Sequence, residues 1–406
     1  MMTKVVQFGV PFSPNLGDGV ISDCLEYGLR VSQPGIELKR VDLSGRQGFG
    51  DVIVSNRAQI IRILELLPAP VRRTLVSARL GRILDQIEPE WQKAIADADL
   101  AIVGGGQLFS DADLNFCLKI ARASALLRDA NVPVAIHAVG VARNWSPRGG
   151  DLFAKVLATD LRAIGLRDAP SISAWLQQMS GQPGADRAPQ PELTRDPGLL
   201  AAGCYGAAPW RGGIGIGVTA TEILAYHADD PKRATLDEDF FASLAIALSE
   251  RGHKVSLFCN GAAEDQAVLS RLAGKEDLTR RGVQVIPAPR RPAELARMIG
   301  GFDAVIAHRL HACILSYAYL VPVVGLGWDG KVESFFASVG RQEHFVPVAD
   351  VKTPTVLSHV DRCLAKGIDV ERHAQVLREA QGGIDRMLAA CTGRPVATTR
   401  KLAPAE

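Results

Sequence analysis

A chain of 406 residues, 47% of them hydrophobic, is too long for one ordinary core and reads as two globular domains. Its formal net charge of +2 gives no global electrostatic case for nucleic acid binding, and no run of about 18 apolar residues is present to span a membrane. The seven cysteines are scattered, form no CxxC and are odd in number, which reads as free thiols in a reducing cytosol and leaves no paired spacing for zinc.

Short apolar runs alternate with amphipathic stretches along most of the chain, the pattern of βαβ units and parallel sheets. The amino terminus runs straight into a strand at Val5–Val10, too short a run for a signal peptide. A glycine-bearing turn follows at Asn15-Leu16-Gly17-Asp18-Gly19. Glycine lets the backbone approach a ligand, and the following helix would aim free N–H groups at an anion. The turn is neither a GxGxxG nor a phosphate loop with Lys-Ser/Thr, and a plain βα turn is the other reading. A helical stretch between Arg57 and Asp85 is broken at Pro68-Ala69-Pro70. Its Arg57, Arg62, Arg72, Arg73, Arg79 and Arg82 read as a solvated face, with docking on an anionic membrane surface as the second reading.

Strands are expected at Leu100–Val103, Val134–Val139 and Ala163–Leu166, with a helix after Asp113 carrying Leu114, Leu118, Ile120 and Ala121. Gly104, Gly105 and Gly106 close the first of these strands, where a bare backbone suits a ligand or a facing loop. Arg167-Asp168 closes the last, as a surface ion pair or as an anion contact. From Asp196 to Pro209 the composition turns to helix breakers and reads as a linker.

A second α/β pattern starts at Ile214–Val218. Thr235 and Glu238 form a capping box for a helix that buries Phe240, Leu244, Ala247 and Leu248 and stops at Gly252. Strands follow at Val255–Cys259, Val283–Pro287, Ala304–Ala307 and Val321–Leu326; a helix at Lys331–Val339 ends at Gly340, and the tail from Thr355 to Ala390 is mostly helical. The expected fold is α/β, with two doubly wound Rossmann-like domains facing a cleft.

The segment Asp303–Gly340 carries the most chemistry. His308-Arg309-Leu310-His311 closes one buried strand, and Asp329 and Lys331 follow the next. The carboxyl edge of a parallel sheet is where open α/β folds bind ligands. Arginine, histidine and lysine together there suit an anionic substrate that needs a proton moved. His308 is the structural member of the group, and Arg309 and His311 the functional ones. No Gly-x-Ser-x-Gly elbow or HExxH is present.

Taken in order, these pieces resemble the polysaccharide pyruvyl transferase family over roughly residues 5–340. The resemblance rests on Asn15 to Asp18, Gly104-Gly105-Gly106, Val139-Gly140-Val141, Arg167-Asp168, Asp196-Pro197, Arg309-Leu310-His311 and Trp328-Asp329-Gly330-Lys331. It implies that phosphoenolpyruvate gives its pyruvyl group to two sugar hydroxyls, forming a ketal in a surface or extracellular polysaccharide and releasing phosphate. It implies a GT-B-like fold: an amino-terminal domain over residues 1–205 on the acceptor side, a donor domain over residues 206–352, and a helical tail over residues 353–406 packing back on the first domain. His311 becomes the general acid/base; Arg309, Leu310, Lys331 and Arg167 become the donor contacts, and the Asn15–Asp18 and Gly104–Gly106 loops line the cleft. No metal or further cofactor is implied. The acceptor is an oligosaccharide or lipid-linked sugar, met in the cytoplasm or at the inner face of the membrane. Gln107 and the segment between Arg57 and Asp85 depart from the family pattern, and both bear on the acceptor side. The rival reading is a nucleotide-sugar glycosyltransferase of the same fold, with Glu264 and Asp265 as its ribose-binding candidates. A non-catalytic carbohydrate binder is the third, and an aromatic content of 6% speaks against it.

Overall fold

A computed structural model describes residues 3–50, 68–220, 237–328 and 330–393. It contains two parallel six-stranded sheets.

The first sheet is built from β1 (Thr3–Gly9), β2 (Ile36–Asp42), β3 (Leu100–Gly104), β4 (Pro133–Val139), β5 (Asp160–Leu166) and β6 (Glu192–Leu193), in the order β2-β1-β3-β4-β5-β6. Its central strands are mostly apolar and buried: all five residues of β3 are buried, and β4, with His137 as its polar member, is buried after its first residue. Such near-continuous apolar runs are what a sheet covered on both faces requires. The strand order reverses between β1 and β3, so this sheet's switch point lies at Gly9 and Gly104. Both are glycines for a reason: a Cβ on Gly9 would stand 2.9 Å from the Gly104 carbonyl oxygen.

The second sheet holds β7 (Ile214–Gly217), β8 (Val255–Phe258), β9 (Gln284–Val285), β10 (Ala304–Ala307), β11 (Val323–Leu326) and β12 (Phe345–Val346), in the order β12-β11-β10-β7-β8-β9. Read from β9, this is the dinucleotide-fold order 3-2-1-4-5-6, and the switch point falls between β7 and β10. Ile214, Ile216, Val218, Val255, Leu257, Ala304 and Ile306 share one core cluster on one face. Gly215 and Gly217 lie on the other face, against Phe302 and Phe258.

The chain divides into two compact units, residues 1–13, 25–197 and 380–400 against residues 14–24, 198–379 and 401–406. Within the first, the tail is tied down: Gln381 Nε2 donates to the Gly28 carbonyl at 3.0 Å, and Arg386 meets Glu192 at 3.2 Å. The breaker-rich stretch after Asp196 is helical, as Pro197–Leu200 and Ala201–Tyr205. Proline fits a first helical turn because its missing N–H would have no intrahelical acceptor there. The helix Glu238–Glu250 is capped by Asp237, whose side chain accepts from the Phe240 N–H at 2.9 Å; Thr235 of the expected capping box lies outside the described residues. Of the expected helical stretch after Arg57, residues 51–67 lie outside them too, and a helix runs over Ala69–Ile95 with proline in its first turn.

Candidate functional site

Three of the expected site segments belong to the second unit. Leu16–Ser32 is a helix whose first turn is pinned to the end of β8, the Leu16 N–H donating to the Asn260 carbonyl at 3.1 Å. Gly17 lies so close to the His311 ring that any side chain on it would collide with Cβ, Cγ and Nδ1. The Asn15–Asp18 turn and His311 are therefore brought together by direct packing, and glycine is needed at position 17 by contact rather than by backbone angle.

His311 sits in the first turn of the helix Leu310–Ala318, which begins immediately beyond β10, and it is 8% exposed. The same start places the Leu310 and His311 N–H groups at the positive end of the helix, where they have no intrahelical acceptor. Arg309 is the residue before the helix, and its side chain is 13% exposed. Its Nε and Nη2 edge grips Asp265 in a fork, at 3.1 Å and at 2.7 and 2.9 Å. Asp265 also accepts from the Ala220 N–H at 2.9 Å. Burial pushes the Asp265 carboxyl upward, and the Arg309 charge and the Ala220 hydrogen bond oppose that rise. The pair fixes the guanidinium plane at the switch point and leaves Nη1 outside the fork. It also engages Asp265, the rival reading's ribose candidate, in holding an arginine.

His308, three residues upstream of His311, is fully buried and meets Phe241 edge-on at 5.6 Å. Burial, aided by the Arg309 charge, pushes its imidazole down to about 3. It is a neutral core group at any ordinary pH, and its carbonyl accepts from Trp328 Nε1 at 2.8 Å. Trp328 in turn carries Lys331, whose ammonium lies 5.3 Å from the indole ring centroid. Asp329 lies outside the described residues.

The remaining expected residues belong to the first unit. Gly105 and Gly106 have φ of +83° and +70°, a conformation that side chains resist, so these two glycines are a backbone requirement. Gly106 is tied to the next loop, its carbonyl accepting from the Gly140 N–H at 2.8 Å. The Arg167 guanidinium lies over Gly140, where a Cβ would stand 2.7 Å from Nη2 and 3.2 Å from Gln107 Oε1. Arg167 is held by Asp168 at 3.5 Å, and Asp168 caps the helix Ala169–Met179 through the Ser171 N–H at 2.8 Å. The Arg167-Asp168 pair is thus a strand-end clamp with both side chains mostly buried, at 8% and 12% exposure.

Around the second unit's strand ends, Asp265, Thr219 and Asn260 are not marked as donor contacts by any sequence motif. Asp265 was read only as a ribose candidate, and Thr219 and Asn260 carry no motif. The signal for the last two is register. Gly217 pairs with Phe258 on one side and with Ala307 on the other. Two residues beyond each lie Thr219, Asn260 and Arg309, in one row across three adjacent strand ends.

Comparison with known proteins agrees with this architecture. The polysaccharide pyruvyl transferase family model matches residues 15–330. No curated protein matches. Among solved structures, the chain is similar to the trehalose-6-phosphate synthase OtsA at 12% identity, with 97% of this chain and 99% of that chain covered and a TM-score of 0.54. It is similar to a UDP-N-acetylglucosamine 2-epimerase at 10% identity, with 97% of both chains covered and a TM-score of 0.53. For a glycosyltransferase from Rickettsia africae the identity is 11%, the coverage 98% and 99%, and the TM-score 0.50. At these identities the likeness speaks to fold alone, a GT-B-like pair of doubly wound sheets.

Proposed function

Because the chain belongs to the polysaccharide pyruvyl transferase family, we propose that it transfers the pyruvyl group of phosphoenolpyruvate to two hydroxyls of a sugar, with the donor held at the β7/β10 switch point. The observation that carries this reading is the Arg309–Asp265 fork beside His311 at the start of the helix Leu310–Ala318. A guanidinium with a fixed plane matches carboxylate or phosphate oxygens, and a helix start adds N–H groups of the same polarity.

The chemistry needs one proton delivered and two removed. His311 protonates the methylene carbon of the enol, which makes the central carbon electrophilic. A sugar hydroxyl adds there and gives up its proton. The carbon–oxygen bond to phosphate then breaks, the second hydroxyl adds, and its proton leaves with the phosphate. One proton ends on the new methyl group and one in the phosphate pool, so the transfer balances without oxidant or metal. His308, neutral and sealed against Phe241, takes no part. Arg309, the Leu310 N–H and Lys331 hold donor charge in this reading, and Arg167 is assigned to the donor through its match to the family's arginine.

The acceptor in this reading is an oligosaccharide or a lipid-linked sugar, met at the cytoplasmic side of a membrane. No described helix is long and apolar enough to cross one. Peripheral contact would fall to the exposed Arg79 and Arg82 of the helix Ala69–Ile95, whereas Arg72 is engaged by Asp113 at 2.9 Å. Co-sedimentation with anionic vesicles that survives Arg79→Glu with Arg82→Glu would remove that contact from the proposal.

The test of the function is phosphate release from phosphoenolpyruvate against a panel of oligosaccharide acceptors, with mass spectrometry of the products. A pyruvyl ketal on one acceptor is the expected product. Turnover of a UDP-sugar, with no phosphate released from phosphoenolpyruvate, would establish the rival glycosyltransferase.

A further inference from the structure

Buried polar atoms without a hydrogen-bond partner are few in folded proteins, because each forfeits its hydration for nothing. Two stand on neighbouring strand ends here. Thr219 Oγ1 beyond β7 and Asn260 Nδ2 beyond β8 find no partner among the described residues, and both residues are 1% exposed. Strand alternation sets them on the sheet face of Gly217 and Phe258, opposite the core cluster of Val218 and Cys259. Register aligns both with Arg309.

The surroundings of this row are equally specific. The Asn260 carbonyl receives the Leu16 N–H, and Gly17 beside it touches His311. Asn15, one residue before Leu16, has its own Oδ1 buried without a partner. The corner therefore joins a hydroxyl, two amides, a guanidinium and an imidazole at the starts of two helices. Of its carboxylates, Asp265 is engaged by Arg309, and Asp18 lies in the first turn of the helix Leu16–Ser32. A sugar ring would call for free acceptors and an aromatic face. A tetrahedral oxyanion calls for neutral donors around a fixed cation, which Thr219 Oγ1, Asn260 Nδ2 and Arg309 supply, Asn15 Oδ1 being an acceptor outside that set.

We propose that Thr219 Oγ1 and Asn260 Nδ2 donate hydrogen bonds to the phosphate oxygens of the phosphorylated donor, an assignment that rests on the donor placement proposed above. The two residues supply directional contacts that a cation alone would not. They select a phosphorylated enol acid over the free keto acid.

Calorimetric titration with three probes tests the assignment: phosphoenolpyruvate, inorganic phosphate and pyruvate, each against the parent chain, Thr219→Val and Asn260→Ala. Each substitution is expected to weaken phosphoenolpyruvate and inorganic phosphate by roughly tenfold, the worth of one hydrogen bond to a charged group. Pyruvate binding should stay unchanged. Thr219→Val should melt no lower than the parent, since it removes an unsatisfied hydroxyl, and Asn260→Ser serves if Asn260→Ala does not fold. Unchanged affinity for both phosphorylated probes overturns the proposal. An equal loss for pyruvate also overturns it, moving the contact to the carboxylate. A fall in melting temperature with phosphate affinity intact overturns it in favour of a buried structural water. A parent chain that binds phosphate but not phosphoenolpyruvate, with both variants losing phosphate, keeps the phosphate subsite and sinks the donor reading. A parent chain that binds neither sinks both.

Discussion

At the switch point of the first sheet the chain offers bare backbone. Gly9, Gly104, Gly105 and Gly106 bring main chain to the strand ends, and the Arg167 guanidinium packs against Gly140 and is held by Asp168. At the switch point of the second sheet the chain offers side chains: a buried Arg309–Asp265 fork, His311 pressed against Gly17, and a row of polar atoms at Thr219 and Asn260. Glycines make room, and fixed polar groups do chemistry. In the proposed function the acid/base and the donor fork are the second unit's, while the first unit contributes Arg167 and a glycine-lined strand end.

The largest effect should come from His311. Replacing it with alanine is expected to lower turnover by roughly 10²–10⁴-fold, the range of a positioned acid/base, while phosphoenolpyruvate affinity changes little. His308→Ala should show the opposite profile, with stability lost and turnover per folded molecule kept. If His308→Ala abolishes turnover in a folded protein and His311→Ala does not, the proton-transfer role moves into the core and the contrast between the units collapses.

Next comes the fork. Asp265→Ala leaves Arg309 buried without its partner, which costs about 3–5 kcal/mol in comparable sites. Denaturant unfolding should show a loss of that order. Arg309→Lys keeps the charge and loses the plane, so the KM for phosphoenolpyruvate should rise about tenfold or more with kcat less affected. A KM unchanged by Arg309→Lys would make the fork purely structural.

A smaller pair of effects compares the units directly. Gly17→Ala drives a methyl group into His311, whereas Gly140→Ala drives one against the Arg167 guanidinium. The first should act on kcat, by about tenfold or more, because it displaces the acid/base. The second should act on KM, because it tilts a contact residue. Equal effects on kcat from both would show that the reacting groups are shared between the strand ends.

A further effect is one the units have in common. Burial pushes His137 of the first unit down to about 4 and, with the Arg309 charge, His308 of the second down to about 3, from an ordinary value of 6.5. Both fold in the neutral form, so between the folded and unfolded values the unfolded chain binds more protons. Stability is therefore full above pH 6.5 and falls as the pH drops toward those values, by up to about 1.4 kcal/mol per unit for each histidine. Unfolding at pH 7 and pH 5 should show the loss, and His308→Asn should remove part of it. A protein more stable at pH 5 than at pH 7 would contradict the buried neutral state.

The sequence was most legible where a single residue type had a single physical use. Ala304–Ala307 reads as a buried strand because four small apolar residues precede a polar cluster, and its bounds agree with the structure. Gly105 reads as a backbone requirement, and its φ is +83°. β2 escaped because Lys39 and Arg40 interrupt its apolar pattern, and β12 because two residues carry no period. The Asp265 fork was hidden because its partners lie 44 residues apart and meet only when β7, β8 and β10 are in register. Thr219 and Asn260 were hidden for the same reason: a threonine or asparagine after a strand is an ordinary turn residue until its neighbours are known.

The central claim is that the donor binds at the second unit's strand ends. Hydrogen–deuterium exchange with and without phosphoenolpyruvate tests it most directly. The account predicts slowed exchange at the start of the helix Leu310–Ala318 and in the peptides spanning Thr219 and Asn260, with no such change on adding a UDP-sugar. Unchanged exchange in those peptides at saturating phosphoenolpyruvate, with protection confined to Gly104–Gly106 and Arg167, would contradict it.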